Sequence, residues 1–293
     1  MGEKIILTCD NLMKIYKTSD IEVIALQGLN LTVDRGEMIA VIGASGSGKS
    51  TLLNIIGGLT TPSAGRIIVD GSDLGKLTEK EKLKYKRDIV GFVWQNSERN
   101  LIPYLTALEN IELVMNIAGN TDKARALELL ESIGIGDKKD QKLEQLSGGE
   151  QQRVAIAIGI CSNPQILLAD EPTGAVDNTT AAELMETFRN LQDKFGLTII
   201  IVTHDTKLAA KVDRVLLIRD GRTSCEFLKK TESGKDSEWE EEFGKSSHDE
   251  YIVLDNVGRL QIPVELMESV GLKGHDKVRL SIIDGNITVL KIK

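Results

Sequence analysis

A glycine-rich loop between a strand-like and a helix-like segment constrains the fold more than any other feature of this chain. The apolar run Met38–Ile42 precedes the sequence GASGSGKS at residues 43–50, and residues 51–56 have helical character. Glycines allow positive φ and close backbone approach, so successive amides and the helix N-terminus can point at one anion. This context predicts a phosphate-binding loop in an α/β fold. The alternative is an ordinary glycine turn with a surface lysine.

Four more motifs follow the loop in chain order. Gln95 comes after an apolar run over residues 89–94, LSGGEQQR occupies residues 146–153, ILLADEPTGAVD ends at Asp177, and IVTHD contains His204. With the glycine-rich loop, this set resembles the ATP-binding-cassette (ABC) ATPases from about residue 3 to residue 228. The resemblance implies a P-loop NTPase fold of the ABC type, an α/β nucleotide-binding domain with a small helical subdomain. It also implies ATP and Mg²⁺ as cofactors and ATP hydrolysis as the activity.

The glycine-rich loop supplies most of the expected ATP contacts. Lys49 adds a point charge between the β- and γ-phosphates, and Ser50 places a hydroxyl on the magnesium ion. The ATP-binding residues predicted in this segment are Gly43, Ser45, Gly46, Gly48, Lys49, Ser50 and Thr51.

A pair of carboxylates ends a second strand-like run at residues 166–169. Asp170 lies at the carboxyl end of that run and can hold magnesium, directly or through water. In the ABC family, the glutamate that matches Glu171 acts as general base or orients the attacking water. The alternative makes both carboxylates part of a solvated loop behind a core strand.

The LSGGEQQR motif predicts a second anion cradle at the start of a helix. Ser147, Gly148 and Gly149 would form it, and in the ABC family this cradle faces the γ-phosphate bound by the other subunit. The resemblance therefore implies a homodimer with two composite ATP sites, and it places Asp177 at the interface between them. A plain helix cap between Ser147 and Glu150 is the alternative, and it is compatible with the cradle.

Three further residues acquire roles through the resemblance. Gln95 would reach magnesium and the attacking water, while its loop touches the transmembrane partner; a surface glutamine is the alternative. His204 would contact the γ-phosphate, although a lone histidine at a strand end is often structural. Tyr16 matches the aromatic that stacks on adenine, or it is a half-buried strand tyrosine.

Composition and charge limit the classes of function. The longest apolar stretch, residues 154–161, is far shorter than the ~20 residues that a membrane span requires. The first ten residues are too charged for a secretory signal, so we expect a cytoplasmic protein. The three cysteines are far apart and lack metal-ligand spacing, which favours reduced thiols. A formal net charge of −8 makes nucleic acid an unexpected partner.

The remaining segments indicate what ATP hydrolysis would drive. A single phosphate loop without a long heptad repeat favours the ATP-binding subunit of a transporter whose permease is a separate integral membrane protein. The protein would then be peripheral on the cytoplasmic face of the cell membrane. The stretches IEVIALQGLNLTV, GLTTPSAGRIIVDGSDLGKLT and NLIPYLTALENIEL resemble ATPases of lipoprotein-release and macrolide-export systems. The apolar residues 101–105 would dock the permease or pack into the core.

The C-terminal part has a different character. We expect a nucleotide-binding domain over residues 1–228, an acidic flexible linker over 229–250 and a small β-rich domain over 251–293. The last segment resembles the AbrB/MazE-like swapped-hairpin module, through the sequence DNVGR, an IP pair, a short helix and the turn signals KGHD and DGN. That resemblance implies dimerisation by interlaced strands, whereas a β-rich decoration is the alternative.

A second class of function stays open at this point. Many members of the swapped-hairpin family bind DNA, so the chain could be a soluble ATP-dependent regulator whose tail reads DNA through Arg259. Against this, Val264 and Met267 stand where the DNA-binding members carry basic residues. The tail also has a formal charge of +1, with six basic and five acidic residues. Both observations favour the transporter ATPase.

Overall fold

The computed structural model describes residues 4–17, 21–95, 100–174, 176–229, 248–254, 258, 260, 262, 264–273, 276–283 and 286–291. These residues form two compact units, Met1–Tyr251 and Ile252–Lys293. Most of the predicted linker, residues 230–247, lies outside the described residues, as do Arg259, Pro263 and most of the DNVGR turn.

The strands run in chain order through both units. Their bounds are β1 Ile5–Lys17, β2 Glu22–Asp34, β3 Met38–Ile42, β4 Ala64–Val69, β5 Ser72–Asp73, β6 Val90–Val93, β7 Ile166–Asp170, β8 Thr198–Val202, β9 Arg214–Arg219, β10 Arg222–Lys229, β11 His248–Ile252, β12 Val278–Ile283 and β13 Asn286–Lys291. The helices are α1 Lys49–Ile56, α2 Glu79–Asp88, α3 Ala107–Ile117, α4 Lys123–Ser132, α5 Gly148–Ile160, α6 Asn178–Phe195, α7 Thr206–Ala209 and α8 Val264–Ser269.

A mostly parallel sheet carries the site. Within the described residues its strand order is β11-β10-β9-β3-β8-β7-β6. β3 pairs in parallel with β8 and β9, and β7 pairs in parallel with β8 and β6. All residues of β3 and β8 are buried, as expected of strands covered on both faces. Predicted catalytic or metal residues lie at or just after the carboxyl ends of β6, β7 and β8. Because these strands are parallel neighbours, their carboxyl ends lie on the same side of the sheet.

A smaller antiparallel sheet packs against the same core. Its order among the described strands is β2-β1-β4-β5. One buried cluster joins α1 to strands of both sheets, with Leu52 and Ile56 from the helix, Leu7 and Leu29 from the antiparallel sheet and Val41 from β3. Because α1 starts at the end of the phosphate loop, this packing holds the loop against the sheet.

The helical subdomain that the resemblance implies is present, and α4 is one of its amphipathic helices. Ala126, Leu129 and Leu130 are its buried residues, and α3 and α5 pack beside it. Leu101 is buried and Tyr104 is 73% exposed, so the apolar segment over residues 101–105 contributes both to the core and to the surface.

The second unit is a small hairpin with a short helix. β12 and β13 pair as an antiparallel hairpin in which Ile282 lies opposite Ile287. Among its described residues, Leu272 is the one buried apolar side chain, whereas Leu280, Ile282 and Ile287 are 67%, 80% and 78% exposed. In the described part of the chain, none of the helices is long and apolar enough to cross a membrane.

Candidate active site

The loop between β3 and α1 has the backbone that the sequence predicts. Gly43, Gly46 and Gly48 have φ of 155°, 78° and 105°. Lys49 is buried and its Nζ donates to the carbonyl oxygens of Gly43, at 2.7 Å, and Ala44, at 3.0 Å. The ammonium group is thus folded over the loop, where a phosphate bound by the loop amides would meet it.

Space around the loop explains why two positions require glycine. A Cβ added to Gly48 would lie 2.5 Å from the Ala25 oxygen, and one added to Gly43 would lie 2.3 Å from the Ile218 oxygen. The Ser47 Oγ is buried next to Gly43, and among the described residues it has no hydrogen-bond partner. A closely wrapped backbone, an inward cation and an unsatisfied hydroxyl fit a phosphate ligand.

The predicted magnesium ligands lie together although they are far apart in sequence. Ser50 is the second residue of α1, and Asp170 ends β7. The Ser50 Oγ is 3.5 Å from Asp170 Oδ1. A hydroxyl and a carboxylate beside a phosphate loop form the oxygen donor set that Mg²⁺ prefers, so the residues present fit this ion.

Glu171 and His204 form a pair at the ends of neighbouring strands. β7 and β8 place Asp170 opposite Val202, and the Glu171 amide donates to the Val202 oxygen at 2.8 Å. One step further, the His204 Nδ1 is 2.8 Å from Glu171 Oε2. The Glu171 side chain is 15% exposed and that of His204 is 72% exposed. This arrangement holds a carboxylate next to the predicted magnesium ligands, with an imidazole to orient it.

Glu171 also has an unusual backbone conformation. Its φ is +47°, a left-handed value that a residue other than glycine seldom adopts. The hydrogen bond from its amide to β8 holds it there. Backbone strain of this kind concentrates at functional sites, where the surrounding structure over-determines the conformation.

Gln95 follows β6 and is exposed. A Cβ added to Gly174 would lie 3.3 Å from the Gln95 Nε2. The structure thus brings Gln95 beside the loop that follows Glu171. Its predicted contact with magnesium stays a prediction.

Two pockets flank the phosphate loop in the described part of the chain. One, of about 290 Å³, is lined by Tyr16, Val23 and Ala25 together with Gly46, Gly48, Lys49, Ser50 and Thr51. Tyr16 is 41% exposed, and its ring centroid lies 4.9 Å from the Lys14 Nζ. The other pocket, of about 500 Å³, has Gly43, Ser45, Gly46 and His204 in its lining. An exposed aromatic ring next to the loop suits a nucleobase whose phosphates lie in the cradle.

The LSGGEQQR segment forms a capping box at the start of α5. The Ser147 Oγ accepts from the Glu150 amide at 3.3 Å, and the Glu150 Oε2 accepts from the Ser147 amide at 2.8 Å. This capping box is compatible with the predicted cradle, which stays a prediction, and it occupies the Ser147 amide. The Gly148 and Gly149 amides are the first two of the helix and lack intrahelical partners by geometry. A cradle here would consist of these two amides and the Ser147 hydroxyl.

Asp177 acts as a helix cap in this structure. Its Oδ1 accepts from the amides of Thr179, at 2.9 Å, and Thr180, at 3.1 Å, and its Oδ2 from the Thr180 hydroxyl at 2.7 Å. The hydrogen bond from the Thr180 side chain is the largest cause that lowers the pKa of the Asp177 carboxyl. The interface role predicted for Asp177 stays a prediction.

Sequence reasoning missed several residues around these sites. Ser47, Val23 and Ala25 line the phosphate-loop pockets, and Ser47 lies inside the recognised motif. Arg153 joins α5 to α6 by donating to Thr187 Oγ1 at 2.9 Å and Glu183 Oε2 at 2.9 Å. Lys138 pairs with Glu150. No local pattern marks Val23, Ala25 or Lys138, because tertiary folding brings them to the site.

Comparison with known proteins identifies relatives of this chain. The family model described as "ABC transporter" matches residues 26–174. An uncharacterized ABC transporter ATP-binding protein of Thermotoga maritima is 43% identical over 212 residues, which is 71% of this chain and 89% of the relative. The uncharacterized ABC transporter ATP-binding protein MJ0796 of Methanocaldococcus jannaschii is 42% identical over 223 residues, 74% of this chain and 94% of the relative.

Solved structures give the same result. The dimeric post-hydrolysis state of the MJ0796 cassette, bound to ADP and Pi, matches with a TM-score of 0.68 and 39% identity, over 78% of this chain and all of that one. CbiO1 of Clostridium perfringens, part of the ABC transporter complex cbiONQ, matches with a TM-score of 0.69 and 32% identity, over 76% of this chain and 88% of that one.

Proposed function

The chain belongs to the ABC transporter ATP-binding proteins, and from this we propose that it hydrolyses ATP at two composite sites of a homodimer. The chain is an Mg²⁺-dependent ATPase subunit, and cassettes of this family dimerise and work with membrane permeases. The solved MJ0796 cassette is itself a dimer.

The observation that carries the proposal is the convergence of three sequence-distant segments. Ser50 lies 3.5 Å from Asp170, and Glu171 follows directly and is 2.8 Å from His204. Ser50 and Asp170, with Gln95 nearby, would hold Mg²⁺, which would supply positive charge against the phosphates. Lys49 and the loop amides would hold the β- and γ-phosphates in place.

The remaining residues divide the work of hydrolysis. Glu171 would orient the attacking water and accept its proton, and His204 would hold the Glu171 carboxylate and contact the γ-phosphate. Tyr16 would stack on the base. In the partner subunit, Ser147, Gly148 and Gly149 would close over the γ-phosphate, with Asp177 at the interface between the sites.

Replacement of Glu171 by Gln tests the chemistry. The amide keeps the size of the side chain but cannot accept a proton, so ATP turnover should fall by about 10²- to 10⁴-fold while ATP binding persists. Phosphate release and equilibrium binding measure the two effects. Glu186→Gln, an exposed carboxylate on α6, is the matched control and should retain full activity. Equal losses in both variants would remove Glu171 from the proposed role.

The permease is expected at the surface near residues 101–105. Tyr104 presents its ring to solvent there while Leu101 anchors the segment in the core. We assign the chain to the lipoprotein-release and macrolide-export type on its sequence stretches. The subunit would be peripheral on the cytoplasmic face of the membrane through this contact. Affinity isolation of Glu171→Gln from detergent-solubilised membranes in ATP should recover a multi-span permease, and Tyr104→Asp should release it.

For the tail we propose an AbrB-like dimerisation domain over residues 251–293, joined to the cassette over 1–228 by a linker over 229–250. The exposed apolar face of β12 and β13 supports this, because a segment of about 40 residues cannot bury a sufficient core alone. A tethered second copy would raise the effective concentration of the partner cassette. DNA binding by the tail is not favoured.

A further inference from the structure

Glu150, at the start of α5, carries a negative charge next to the predicted anion site. Glu150 is the third residue of the helix, and its Oε2 turns back to the Ser147 amide at 2.8 Å. A carboxylate at this position stabilises the helix terminus. The same negative charge would repel a phosphate that approaches the Gly148 and Gly149 amides at the same helix end.

Lys138 supplies the matching positive charge. It ends the short 3-10 turn Gly136–Lys138, and its Nζ forms an ion pair with Glu150 Oε1. The two side chains are 31% and 22% exposed, so water screens this pair less than it would screen a surface pair. The turn fixes the lysine, because the Lys138 amide donates to the Ile135 oxygen at 3.0 Å.

The second cation near Glu150 is Arg153, which forms its hydrogen bonds with other residues. Arg153 lies three residues after Glu150 and lines the same pocket of about 260 Å³. Its guanidinium group donates to Glu183, Thr187 and the Ile133 oxygen. The ion pair with Lys138 also lowers the pKa of the Glu150 carboxyl, so Glu150 is ionised at neutral pH.

We propose that Lys138 is an electrostatic positioning residue of the composite ATP site, which acts by neutralising Glu150 so that the α5 terminus accepts the partner's γ-phosphate. This inference rests on the proposed composite site. Lys138 contributes no contact to the nucleotide. Its role is to let one helix end use a carboxylate for its own cap and still receive a phosphate.

The release of labelled ATP from the full-length Glu171→Gln protein tests this role. In that background Lys138→Met leaves an unpaired carboxylate beside the cradle, and it should release ATP about tenfold faster. Lys138→Arg keeps the charge and should release at the parent rate. Lys139→Met removes a neighbouring exposed lysine, and it should also match the parent.

The double variant Lys138→Met/Glu150→Gln separates the explanations. The glutamine can still accept from the Ser147 amide but carries no charge, so release should return to within about twofold of the parent. The effect of Lys138→Met should also shrink between about 50 mM and about 500 mM salt, which a packing defect would not show. Fast release in the double variant would mean that Lys138 touches the nucleotide or supports the fold, and would overturn the inference. If the Glu171→Gln parent itself releases ATP as fast as a monomeric cassette would, the proposed composite site is wrong, independently of Lys138.

Discussion

At the scale of single residues, the site depends on the backbone conformation of Gly48 and Glu171 and on the space for a side chain at Gly48. Gly48 needs a positive φ and has Ala25 and Leu26 against the position of a Cβ. Glu171 adopts a left-handed backbone without being glycine. Glycine adopts such a φ without strain, whereas the Glu171 conformation is unfavourable in isolation and the β7–β8 pair enforces it.

Gly48→Ala is predicted to impair nucleotide binding. The added Cβ would lie 2.5 Å from the Ala25 oxygen and 2.8 Å from the Leu26 Cδ2, so the loop must shift. ATP affinity should fall about tenfold or more by equilibrium titration. Gly71→Ala is the control, because Gly71 also has a positive φ, of 74°, but open space around it. It should lose some stability and keep its ATP affinity.

The three cysteines are predicted to be unreactive in the folded protein. All three are buried thiols outside any disulfide, and burial raises the pKa of the Cys9 thiol to about 12. Because the thiolate is the nucleophile, a thiol reagent at about pH 8 should label the native protein slowly and the unfolded protein at three sites.

The same shift of the Cys9 pKa predicts a pH dependence of stability. The folded pKa is raised above the ordinary thiol value, so this contribution is intact below about pH 8.5 and is lost as the pH rises towards 12. Denaturant unfolding of wild type and Cys9→Ala across that window measures it. If Cys9→Ala loses stability with pH as steeply as the wild type, Cys9 is not the cause.

At the scale of elements, helix caps and buried side-chain hydrogen bonds fix the loops around the site. Capping boxes start α2, α3 and α5, and Asp177 caps α6. The loop before α3 is held by Asn110, which is 2% exposed. Its Oδ1 accepts from the Ile102 amide at 2.7 Å, and its Nδ2 donates to the oxygens of Ile102, Leu105 and Thr106.

Asn110→Ala is predicted to loosen the proposed permease-docking segment. The change leaves buried backbone groups without partners and should cost about 2–3 kcal/mol of unfolding free energy. Chemical denaturation measures this cost, and hydrogen exchange at residues 101–106 should rise. Asn116→Ala, an exposed amide on the same helix, should stay within about 0.5 kcal/mol of the wild type. Similar losses of unfolding free energy in the two variants would contradict the role of Asn110 in holding this loop.

At the scale of the whole molecule, the two units have different cores. The first buries extensive apolar surface around α1, whereas the second leaves Leu280, Ile282 and Ile287 exposed on one face of its hairpin. Side chains directly opposite each other in an antiparallel pair share a face, so Ile282 and Ile287 form one patch. Such a patch on a small unit calls for a partner surface.

Ile282→Lys is predicted to weaken self-association of the full-length protein without nucleotide. A lysine in the covered patch would be desolvated, so the dimer dissociation constant should rise at least about tenfold in sedimentation experiments. Ile283→Lys places the same charge on the opposite face of the hairpin and should have the smaller effect. An unchanged dissociation constant in Ile282→Lys would contradict the proposed dimerisation role of the tail. It would not bear on ATP hydrolysis, which is measured separately.

The sequence by itself determined the phosphate loop, the strand-like runs that form β3 and β7, and the family, because these depend on local spacing and on motifs contiguous in the chain. Tertiary structure decided which distant groups meet: Ser50 with Asp170, Glu171 with His204, and Lys138 with Glu150. It also decided that Asn110 holds the loop before α3. Strand order and helix packing set these contacts, and no periodicity along the chain encodes them.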